Sequence, residues 1–366
     1  MSNLTLHQLK IASITRETPD AVSLTFDVPT HLRDTFAFAA GQYITLELPM
    51  GGELVRRAYS MSSAPHENRL TVTVKQVKGG RVSTYINEQL TEGGVVNVLP
   101  PQGKFTTPLA VPNRRTFYLL GGGSGITPLF SLLKAVLEQE PQSTVHLLYG
   151  NATEESIIFR DDLDALQRRY EGQLHVTHLL SHPKQEKGSG MFSFMKKSLT
   201  AWTGLVGIPD TKTITRWLDD SPAHTTESVF FTCGPLPMMQ NLEKVVQQRG
   251  IDKKHFHMEV FDTGGVLPKA EAGAMAAELH ATLNGKKIEV SVAAGQTLLD
   301  AMLKAGHDAP FSCKSGACST CIAKLSQGKV LMDACFALDD DEIAKGYILA
   351  CQAKPTTAEI VVNFDV

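Results

Sequence analysis

The sequence lacks the features that usually tie a protein to nucleic acid or to a membrane. Its 366 residues carry a net charge of only -3 and the pI is near 6.5, which gives no general attraction to either kind of anionic surface. No run of about 18 apolar residues occurs, and the opening segment MSNLTLHQLKIASITRET has no apolar core of signal-peptide length. We therefore expect a cytoplasmic protein with no nucleic-acid partner and no integral membrane segment.

Cysteine is also scarce, and its distribution is uneven. The chain has six cysteines, and five of them follow residue 312. Disulfides are rare in a reducing compartment, so this crowding suggests metal or redox chemistry. The chain is long enough for two or three domains, each with its own core.

The first part of the chain, residues 1–108, consists of short β-type runs separated by turn residues. The runs are AVSLTFDV, YITLELP, LTVTVKQV and VVNVLP. This pattern predicts an antiparallel barrel or sandwich.

The pattern changes in residues 109–261, where apolar strands alternate with helices, as in TFYLLGGGSG followed by ITPLFSLLKAVLEQ. Such alternation predicts βαβ units around a parallel sheet. Residues 262–277 are rich in glycine and alanine without periodicity and are interpreted as a linker. The remaining residues, 278–366, form a small third domain that opens with a hairpin at Asn284-Gly285 and a helix in TLLDAMLKAG.

The crowded cysteines have a recognisable spacing. Three lie in CKSGACSTC, spaced C-x4-C-x2-C, and another follows in YILACQAKP after 29 intervening residues. This is the plant-type spacing for a [2Fe-2S] cluster, and the small residues around Gly316 let the backbone approach the cluster closely. A structural zinc site is the alternative, although zinc ligands usually come as two C-x2-C hairpins. The predicted ligands are Cys313, Cys318, Cys321 and Cys351, and Cys335 is interpreted as a small buried hydrophobe.

These motifs point to a known family. The tail, with FSCKSGACSTC and ILACQ, resembles a plant-type ferredoxin domain, which has the β-grasp α+β fold. The rest of the chain, with RAYS and GGGSGITP, resembles the ferredoxin-NADP reductase superfamily. The order of the parts resembles the reductase components of multicomponent oxygenases, most closely the phenylacetyl-CoA epoxidase reductases and related hydroxylase reductases.

The resemblance implies a multidomain fold and an enzymatic activity. An FAD-binding β-barrel domain, an NAD(P)-binding α/β domain and a [2Fe-2S] ferredoxin domain would pass electrons from NAD(P)H to an oxygenase or hydroxylase protein. Degradation of phenylacetyl-CoA or of other aromatic compounds is one setting for such a reductase. The alternative is a non-enzymatic redox sensor or electron carrier that uses the same folds as binding modules.

The flavin signal begins with the superfamily's R-x-Y-S motif, formed by Arg57, Ala58, Tyr59 and Ser60. By resemblance, Arg57 pairs with the flavin pyrophosphate, Tyr59 offers a flat face to the isoalloxazine, and Ser60 hydrogen-bonds near the reactive N5.

A second flavin signal is the segment GGRVSTYI at residues 79–86, which by resemblance binds the pyrophosphate with main-chain N–H groups at a helix N-terminus. The run YIN, residues 85–87, overlaps the end of this segment and favours FAD over FMN. The flavin contacts predicted in this region are Val74, Lys75, Val82, Ser83 and Thr84. For Lys75 the alternative interpretation is an ordinary lysine on an edge strand.

The nicotinamide signal is the loop GGGSGITP, which follows a buried strand and opens a helix, although it is not the G-x-G-x-x-G fingerprint. By resemblance, FTCGPLPMM supplies a C-G-P turn beside the hydride path, and HMEVF ends the domain against the flavin. The predicted nicotinamide contacts are Gly122, Gly123, Ser124, Gly125, Thr127, Cys233, Gly234, Pro235 and Phe261. The resemblance gives catalytic roles to Ser60, Cys233 and Glu259, with a buried inert cysteine as the alternative for Cys233.

The choice of coenzyme is indicated by the segment YGNATEE, residues 149–155, where NADPH-dependent relatives often carry an arginine and this chain has carboxylates. This favours NADH. Residues 184–206 look like an insertion whose lysines could bind a phosphate. Its apolar residues could form one helical stripe that packs onto the domain, with a surface for a partner as the alternative. The residues of this stripe are Met191, Phe192, Met195, Leu199 and Trp202. His255 and His257 are interpreted as structural residues on one strand face. The acidic run 338–342 either docks a basic partner or opens a helix.

Overall fold

The computed structural model describes most of the chain, and its residues fold around three main sheets. None of the helices in these residues is long and apolar enough to cross a membrane. Most of the insertion 184–206 and most of the linker 262–277 lie outside the described residues. Of the predicted apolar stripe, Met191, Phe192 and Met195 lie outside them, whereas Trp202 is described and packs against the core of the α/β domain. The described residues are 5–186, 199–200, 202–225, 227–261 and 273–366.

The amino-terminal sheet is an antiparallel β-barrel, which decides between barrel and sandwich. It comprises the strands β1 (His7–Thr18), β2 (Ala21–Asp27), β3 (Tyr43–Met50), β4 (Glu53–Ser60), β5 (Leu70–Lys75) and β6 (Val95–Gln102), with helix α1 (Arg81–Glu88) between the last two. The strand order is β4-β3-β6-β1-β2-β5, and a bridge between Met61 and Val72 joins the end of β4 to β5. Alternating apolar side chains such as Leu24, Ile44 and Val98 fill the interior.

The second sheet is parallel and carries helices on its faces. It comprises the strands β7 (Arg115–Gly122), β8 (Thr144–Asn151), β9 (Leu174–Leu180), then, after the short ribbon β10 (Gln185–Glu186) and β11 (Leu199–Thr200), β12 (Leu205–Val206), β13 (Glu227–Cys233) and β14 (Phe256–Glu259). The helices are α2 (Ile126–Gln139), α3 (Arg160–Arg169), α4 (Thr211–Asp220) and α5 (Leu236–Gln248). The strand order is β12-β9-β8-β7-β13-β14.

This order creates a topological switch point. From β7 the chain winds towards β8 and β9 on one side, and it later returns to β13 and β14 on the other. Ligands bind to open α/β sheets at the carboxyl ends of strands that flank such a point. The glycine loop after β7 and the C-G-P turn after β13 lie at this point. The strand order therefore indicates this edge of the sheet as the ligand-binding edge.

The third domain has a mixed sheet of the β-grasp type. Its elements are β15 (Ala277–Leu283), β16 (Lys286–Val292), α6 (Leu298–Lys304), β17 (Ile322–Gln327), β18 (Val330–Met332), α7 (Asp340–Ala344), β19 (Tyr347–Leu349), β20 (Ala353–Pro355) and β21 (Glu359–Asn363). The main sheet has the order β16-β15-β21-β17-β19. Positive φ angles of 52° at Asn284 and 71° at Gly285 give the predicted hairpin its turn.

Two smaller expectations are corrected by the structure. His255 lies in a 3-10 turn before β14, so it does not share a strand face with His257. Cys335 is half-buried rather than buried, because it lies in the irregular segment between β18 and α7. Regular structure resumes at Ala277, the last residue of the predicted linker.

Candidate functional site

The R-x-Y-S motif lies at the end of β4, as predicted. Alternation along the strand places Arg57 and Tyr59 on one face, while Ser60 on the other face is buried. Arg57 is exposed and donates to the carbonyl of Arg56 at 2.8 Å, which leaves other guanidinium N–H groups for a ligand. Burial raises the pKa of Tyr59, so its ring is a neutral phenol. This face can hold a pyrophosphate and a flat ring.

The start of α1 carries the second group of residues predicted to contact the flavin. Val82 and Ser83 are buried in the first turn, and the N-cap residue Gly80 supplies no side-chain cap. The Ser83 hydroxyl accepts the Val77 N–H at 3.0 Å and so fixes the loop before the helix. Thr84 accepts from Gln76 at 3.2 Å. The amides of this first turn are suited to an anion.

The two residues predicted on β5 differ in their surroundings. Val74 is buried in the barrel core. Lys75 lies on β5, the last strand in the order of this sheet, and forms an ion pair with Asp20 at 3.5 Å. Its contact is the one expected of an edge-strand lysine, which was the alternative interpretation.

The three residues given catalytic roles come together from distant parts of the sequence. The Ser60 hydroxyl donates to the Glu259 carboxylate at 3.1 Å. Cys233 and Glu259 are register partners on the parallel strands β13 and β14. The structure therefore joins the barrel to the carboxyl edge of the α/β sheet at the place where the hydride path is predicted.

The electrostatics of this trio are unusual for acidic groups. Burial raises the pKa of Glu259 to about 8, despite the hydrogen bond from Ser60 that acts in the opposite direction. Burial, and to a smaller extent the Glu259 carboxylate, raises the pKa of Cys233 well above its usual value. The Cys233 side chain is therefore a neutral thiol at physiological pH and not a nucleophilic thiolate.

The glycine loop packs directly on the C-G-P turn. A Cβ on Gly125 would lie 2.0 Å from the carbonyl oxygen of Cys233, so only glycine permits this approach. The Tyr149 hydroxyl donates to the carbonyl of Gly123 at 3.0 Å, and the buried Thr127 hydroxyl donates to the carbonyl of Ser124 at 3.0 Å. The loop is thus held rigidly at the switch point.

The remaining nicotinamide predictions lie around this loop. Gly122 ends β7, and Gly234 and Pro235 form the turn that leads into α5. Phe261 is 38% exposed, two residues beyond Glu259. Its ring is therefore available to a ligand at the same edge.

The four predicted cluster cysteines lie together as two pairs. The sulfur of Cys313 contacts the Cys318 side chain and accepts a hydrogen bond from the Ser315 amide at 3.4 Å, and these contacts lower the pKa of Cys313 to about 5. In the other pair, the thiol of Cys321 donates to Cys351 and lowers the pKa of Cys351. Two pairs of sulfurs match the two irons of a binuclear cluster, each of which takes two cysteine ligands.

This arrangement also tests the zinc alternative. Tetrahedral zinc gathers four sulfurs about one point, with Zn–S distances of about 2.3 Å. In the described residues, the four cysteines are not among the groups of three or more donor side chains placed to share one metal ion. Their arrangement as two pairs, Cys313 with Cys318 and Cys321 with Cys351, fits a [2Fe-2S] cluster.

The backbone of the cysteine loop shows the same fit. Gly316 has φ of 72°, and a Cβ there would lie 2.7 Å from the carbonyl oxygen of Ala334. The segment beyond Ala334 supports the loop through bonds from the amides of Phe336 and Ala337 to the Gly316 carbonyl, at 3.0 and 3.2 Å. Burial raises the pKa of Cys335 in this segment, which is consistent with a thiol outside the ligand set.

The cysteine loop is also bonded to the flavin barrel, a contact that the sequence did not reveal. The Tyr43 hydroxyl on β3 hydrogen-bonds to Thr320 at 2.9 Å, and Thr320 donates to Gln102 on β6 at 3.0 Å. Thr45 donates to Ser312 at 2.9 Å. These are single polar residues on separate elements, so neither spacing nor motif could have identified them.

Charged residues complete this domain contact. Arg56 on β4 pairs with Glu47 at 2.8 Å and with Asp308 of the third domain at 3.2 Å. Its guanidinium lies 4.7 Å from the ring centroid of Phe311. The cysteine loop is therefore fixed against the same strands that carry the flavin motif.

The acidic run at 338–342 is largely used inside the molecule. Asp340 pairs with Lys253 of the α/β domain at 2.9 Å, and Glu342 pairs with Lys104, which follows β6. Asp339 caps α7 by accepting the Glu342 amide. Helix opening and domain contact account for this run.

Comparison with known families confirms the predicted order of cofactor domains. Residues 8–107 match the "Oxidoreductase FAD-binding domain", residues 119–244 match the "Oxidoreductase NAD-binding domain", and residues 281–356 match the "2Fe-2S iron-sulfur cluster binding domain".

Whole proteins with the same organisation are similar along the full chain. One of the subunits of the 1,2-phenylacetyl-CoA epoxidase of Escherichia coli K12 is 34% identical over 367 residues, which cover 99% of this chain and 98% of that protein. The ferredoxin reductase component of 3-ketosteroid-9-alpha-monooxygenase from Rhodococcus rhodochrous is also 34% identical over 367 residues, covering 97% and 96%.

Among solved structures, phthalate dioxygenase reductase, described as a modular structure for electron transfer from pyridine nucleotides to [2Fe-2S], has a similar fold. The TM-score is 0.57 at 24% identity, and the match covers 98% of each chain. The multidomain fold predicted from the sequence is confirmed. Given the whole-chain similarity to the two curated proteins, the chain belongs to the family of FAD- and [2Fe-2S]-containing oxidoreductases that are the reductase components of multicomponent oxygenases.

Proposed function

We propose that this chain takes a hydride from NADH and delivers single electrons, by way of FAD and a [2Fe-2S] cluster, to an oxygenase or hydroxylase protein. The observation that carries this proposal is the bond between Tyr43 and Thr320. Tyr43 is the register partner of Ser60, the residue expected at the flavin ring. Thr320 lies between two predicted cluster ligands in the sequence, and the Cys318 thiol is 3.5 Å from its hydroxyl.

The cofactors would supply the chemistry that side chains lack, because a flavin accepts a hydride and releases its electrons one at a time to an iron-sulfur cluster. The chain's own residues bind and orient them. Arg57 would pair with the charge of the pyrophosphate, and the amides of Val82, Ser83 and Thr84 would donate hydrogen bonds to it. Tyr59 would cover one face of the flavin ring. Cys313, Cys318, Cys321 and Cys351 would hold the cluster.

Ser60, Cys233 and Glu259 would position the nicotinamide against the flavin. Since its pKa is about 8, Glu259 is mainly protonated at pH 7 and holds a proton beside the Ser60 hydroxyl. Cys233 is a neutral thiol. The trio therefore provides hydrogen-bonding groups without a fixed charge, while Gly122 to Gly125, Thr127, Gly234, Pro235 and Phe261 would bind the rest of the coenzyme.

The domain extents and the cellular location follow from the same proposal. We take residues 1–108, 109–261 and 278–366 as the three domains and 262–277 as the linker. All six cysteines are unpaired, which suits a reducing compartment such as the cytoplasm. The similarity to a component of phenylacetyl-CoA epoxidase favours a partner oxygenase that acts on phenylacetyl-CoA or another aromatic compound.

Replacing Cys318 by Ser tests this electron route in the full chain. Ferricyanide takes electrons directly from a flavin, so NADH oxidation with ferricyanide should remain within about two-fold of wild type. Reduction of cytochrome c should fall at least about 20-fold because the cluster exit is lost. Cys335→Ser, which removes a thiol outside the ligand set, should change neither rate. Cytochrome c reduction by Cys318→Ser at the wild-type rate would contradict the proposed route.

A further inference from the structure

A group of histidines lies in the α/β domain away from the predicted cofactor site. His146 near the start of β8 and His175 near the start of β9 are register partners on adjacent parallel strands. Their side chains therefore project from the same face of the sheet, and their ring centroids are 4.8 Å apart. The glycine loop lies at the opposite, carboxyl ends of these strands.

A third histidine is brought to this pair by the loop that follows α4. The amide of His224 donates to the Thr116 hydroxyl at 3.2 Å, and the Thr116 and Thr225 hydroxyls are bonded at 3.1 Å. This anchoring places the His224 ring 6.1 Å from that of His146. One nitrogen from each of the three rings lies within 4.8 Å of the others, and no other His, Cys, Asp or Glu side chains in the described ranges form such a group.

One nitrogen of His146 has no hydrogen-bond partner among the described residues. The residue is 4% exposed, and the atom concerned is the buried Nε2. Buried polar atoms are nearly always satisfied, so such an orphan needs an explanation. In the tautomer with its proton on Nδ1, this Nε2 offers a lone pair to a ligand.

The surroundings allow the other two rings to adjust. The His146 ring is within 17° of parallel to both partners, whereas a bound ion must lie in the plane of each ring. His175 and His224 are exposed, and exposed side chains change rotamer readily. A cavity of about 450 Å³ adjoins His146 and His175, and the carboxylates of Glu171 and Asp220 also line it. These acids favour a cation.

We propose that His146, His175 and His224 form a binding site for a divalent transition-metal ion of the zinc type. Three imidazole nitrogens with one open position are a common ligand set for zinc, and related ions such as nickel also prefer imidazole. The site stands on different residues from the proposed electron route and does not depend on that function.

Equilibrium dialysis of the tag-free holoprotein against Zn²⁺, followed by elemental analysis, tests the proposal directly. With the cluster cysteines occupied by iron, wild type should retain about one zinc per chain. His175→Ala and His224→Ala alter exposed residues and should fold, and each should weaken zinc binding at least about ten-fold. His182→Ala removes an exposed histidine of the same domain outside the trio and should bind zinc as wild type does.

A second measurement is independent of the metal count. Saturating zinc should raise the melting temperature of wild type by at least about 2 °C, because an ion that binds only the folded state stabilises it. The shift should disappear in His175→Ala and His224→Ala and persist in His182→Ala. Absence of a stoichiometric zinc in wild type, or equal binding by wild type and both trio variants, would overturn the proposal.

Discussion

The cysteine loop and the proposed hydride site are built in opposite ways. Three of the four predicted cluster ligands lie within nine consecutive residues, and the loop that carries them has its own shape, set by the left-handed Gly316. The hydride site takes Ser60 from the barrel, Cys233 from β13 and Glu259 from β14. One site is encoded locally, whereas the other exists only when two domains meet.

The two sites should therefore respond differently to mutation. A local metal-binding loop depends on its ligands and on a few small residues, so damage to it should leave the rest of the chain working. The hydride site depends on close backbone packing between segments more than 100 residues apart, such as Gly125 and Cys233. A single methyl group at such a contact should have a large effect.

Gly125→Ala should give the largest effect. Its Cβ would meet the Cys233 carbonyl oxygen at 2.0 Å, and backbone atoms on both sides prevent relief by a side-chain movement. The loop and the C-G-P turn would separate, so kcat/KM for NADH with ferricyanide should fall at least about 100-fold. Flavin and iron contents should stay at the wild-type level.

Gly172→Ala is the matched control for this change. Gly172 also lies in the α/β domain, and a Cβ there meets no atom within 4 Å, although its positive φ of 79° carries a small strain. Its kcat/KM should remain within about three-fold of wild type. Similar rates for Gly125→Ala and wild type would show that the close approach is not needed for coenzyme binding.

The coenzyme preference should be a smaller effect. Glu154 and Glu155 follow β8 where a 2′-phosphate would require a cation, so kcat/KM should be about ten-fold higher with NADH than with NADPH. Lys184 pairs with Glu155 and lowers the pKa of that carboxyl. Lys184→Ala should therefore widen the preference by about three-fold, since a carboxylate loses its counter-charge. A wild-type preference for NADPH would contradict this account of the segment.

The pH dependence of stability should separate Glu259 from the other acids. Its pKa is raised in the folded state, so its contribution is fully present below the pKa of the unfolded chain, near 4.5, and is lost as the pH rises through about 8. Glu259→Gln keeps a hydrogen-bonding group and removes this loss. Between pH 5 and 9 the melting temperature of wild type should fall by about 2–4 °C relative to the variant. Parallel curves would show that Glu259 is not buried as an acid.

Much of the fold could be predicted from short-range patterns. Alternation identified strands such as Ala21–Asp27, helical periodicity identified Ile126–Gln139, and Asn284-Gly285 identified a hairpin. Strand β1, whose sequence HQLKIASITRET is rich in polar residues, was missed because its exposed positions obscure the alternation. His255 was misplaced because a 3-10 turn and a strand end are indistinguishable over three residues.

The cluster loop and the contact between the domains also differ in how far the sequence could predict them. Cysteine spacing identified the cluster loop without any knowledge of the fold, because all but one of the ligands are neighbours in the sequence. The contact of Tyr43 with Thr320 joins residues 277 positions apart and depends on the docking of two domains. No periodicity or motif in the sequence indicates a contact between residues so far apart. Only the structure could therefore reveal which residues connect the flavin strand to the cluster loop.

That connection is the central claim, and anaerobic stopped-flow mixing of the holoprotein with NADH tests it most directly. In wild type, loss of flavin absorbance should precede reduction of the cluster. Tyr43→Phe keeps the ring and removes one hydroxyl, so flavin reduction should be unchanged while cluster reduction slows by about three- to ten-fold.

Tyr118→Phe provides the matched control for this measurement, because its buried hydroxyl donates to the Ser221 carbonyl at 2.7 Å, away from the domain contact. It should leave both phases at the wild-type rate. Cluster reduction at the wild-type rate in Tyr43→Phe, or cluster reduction that precedes the flavin in wild type, would contradict the account.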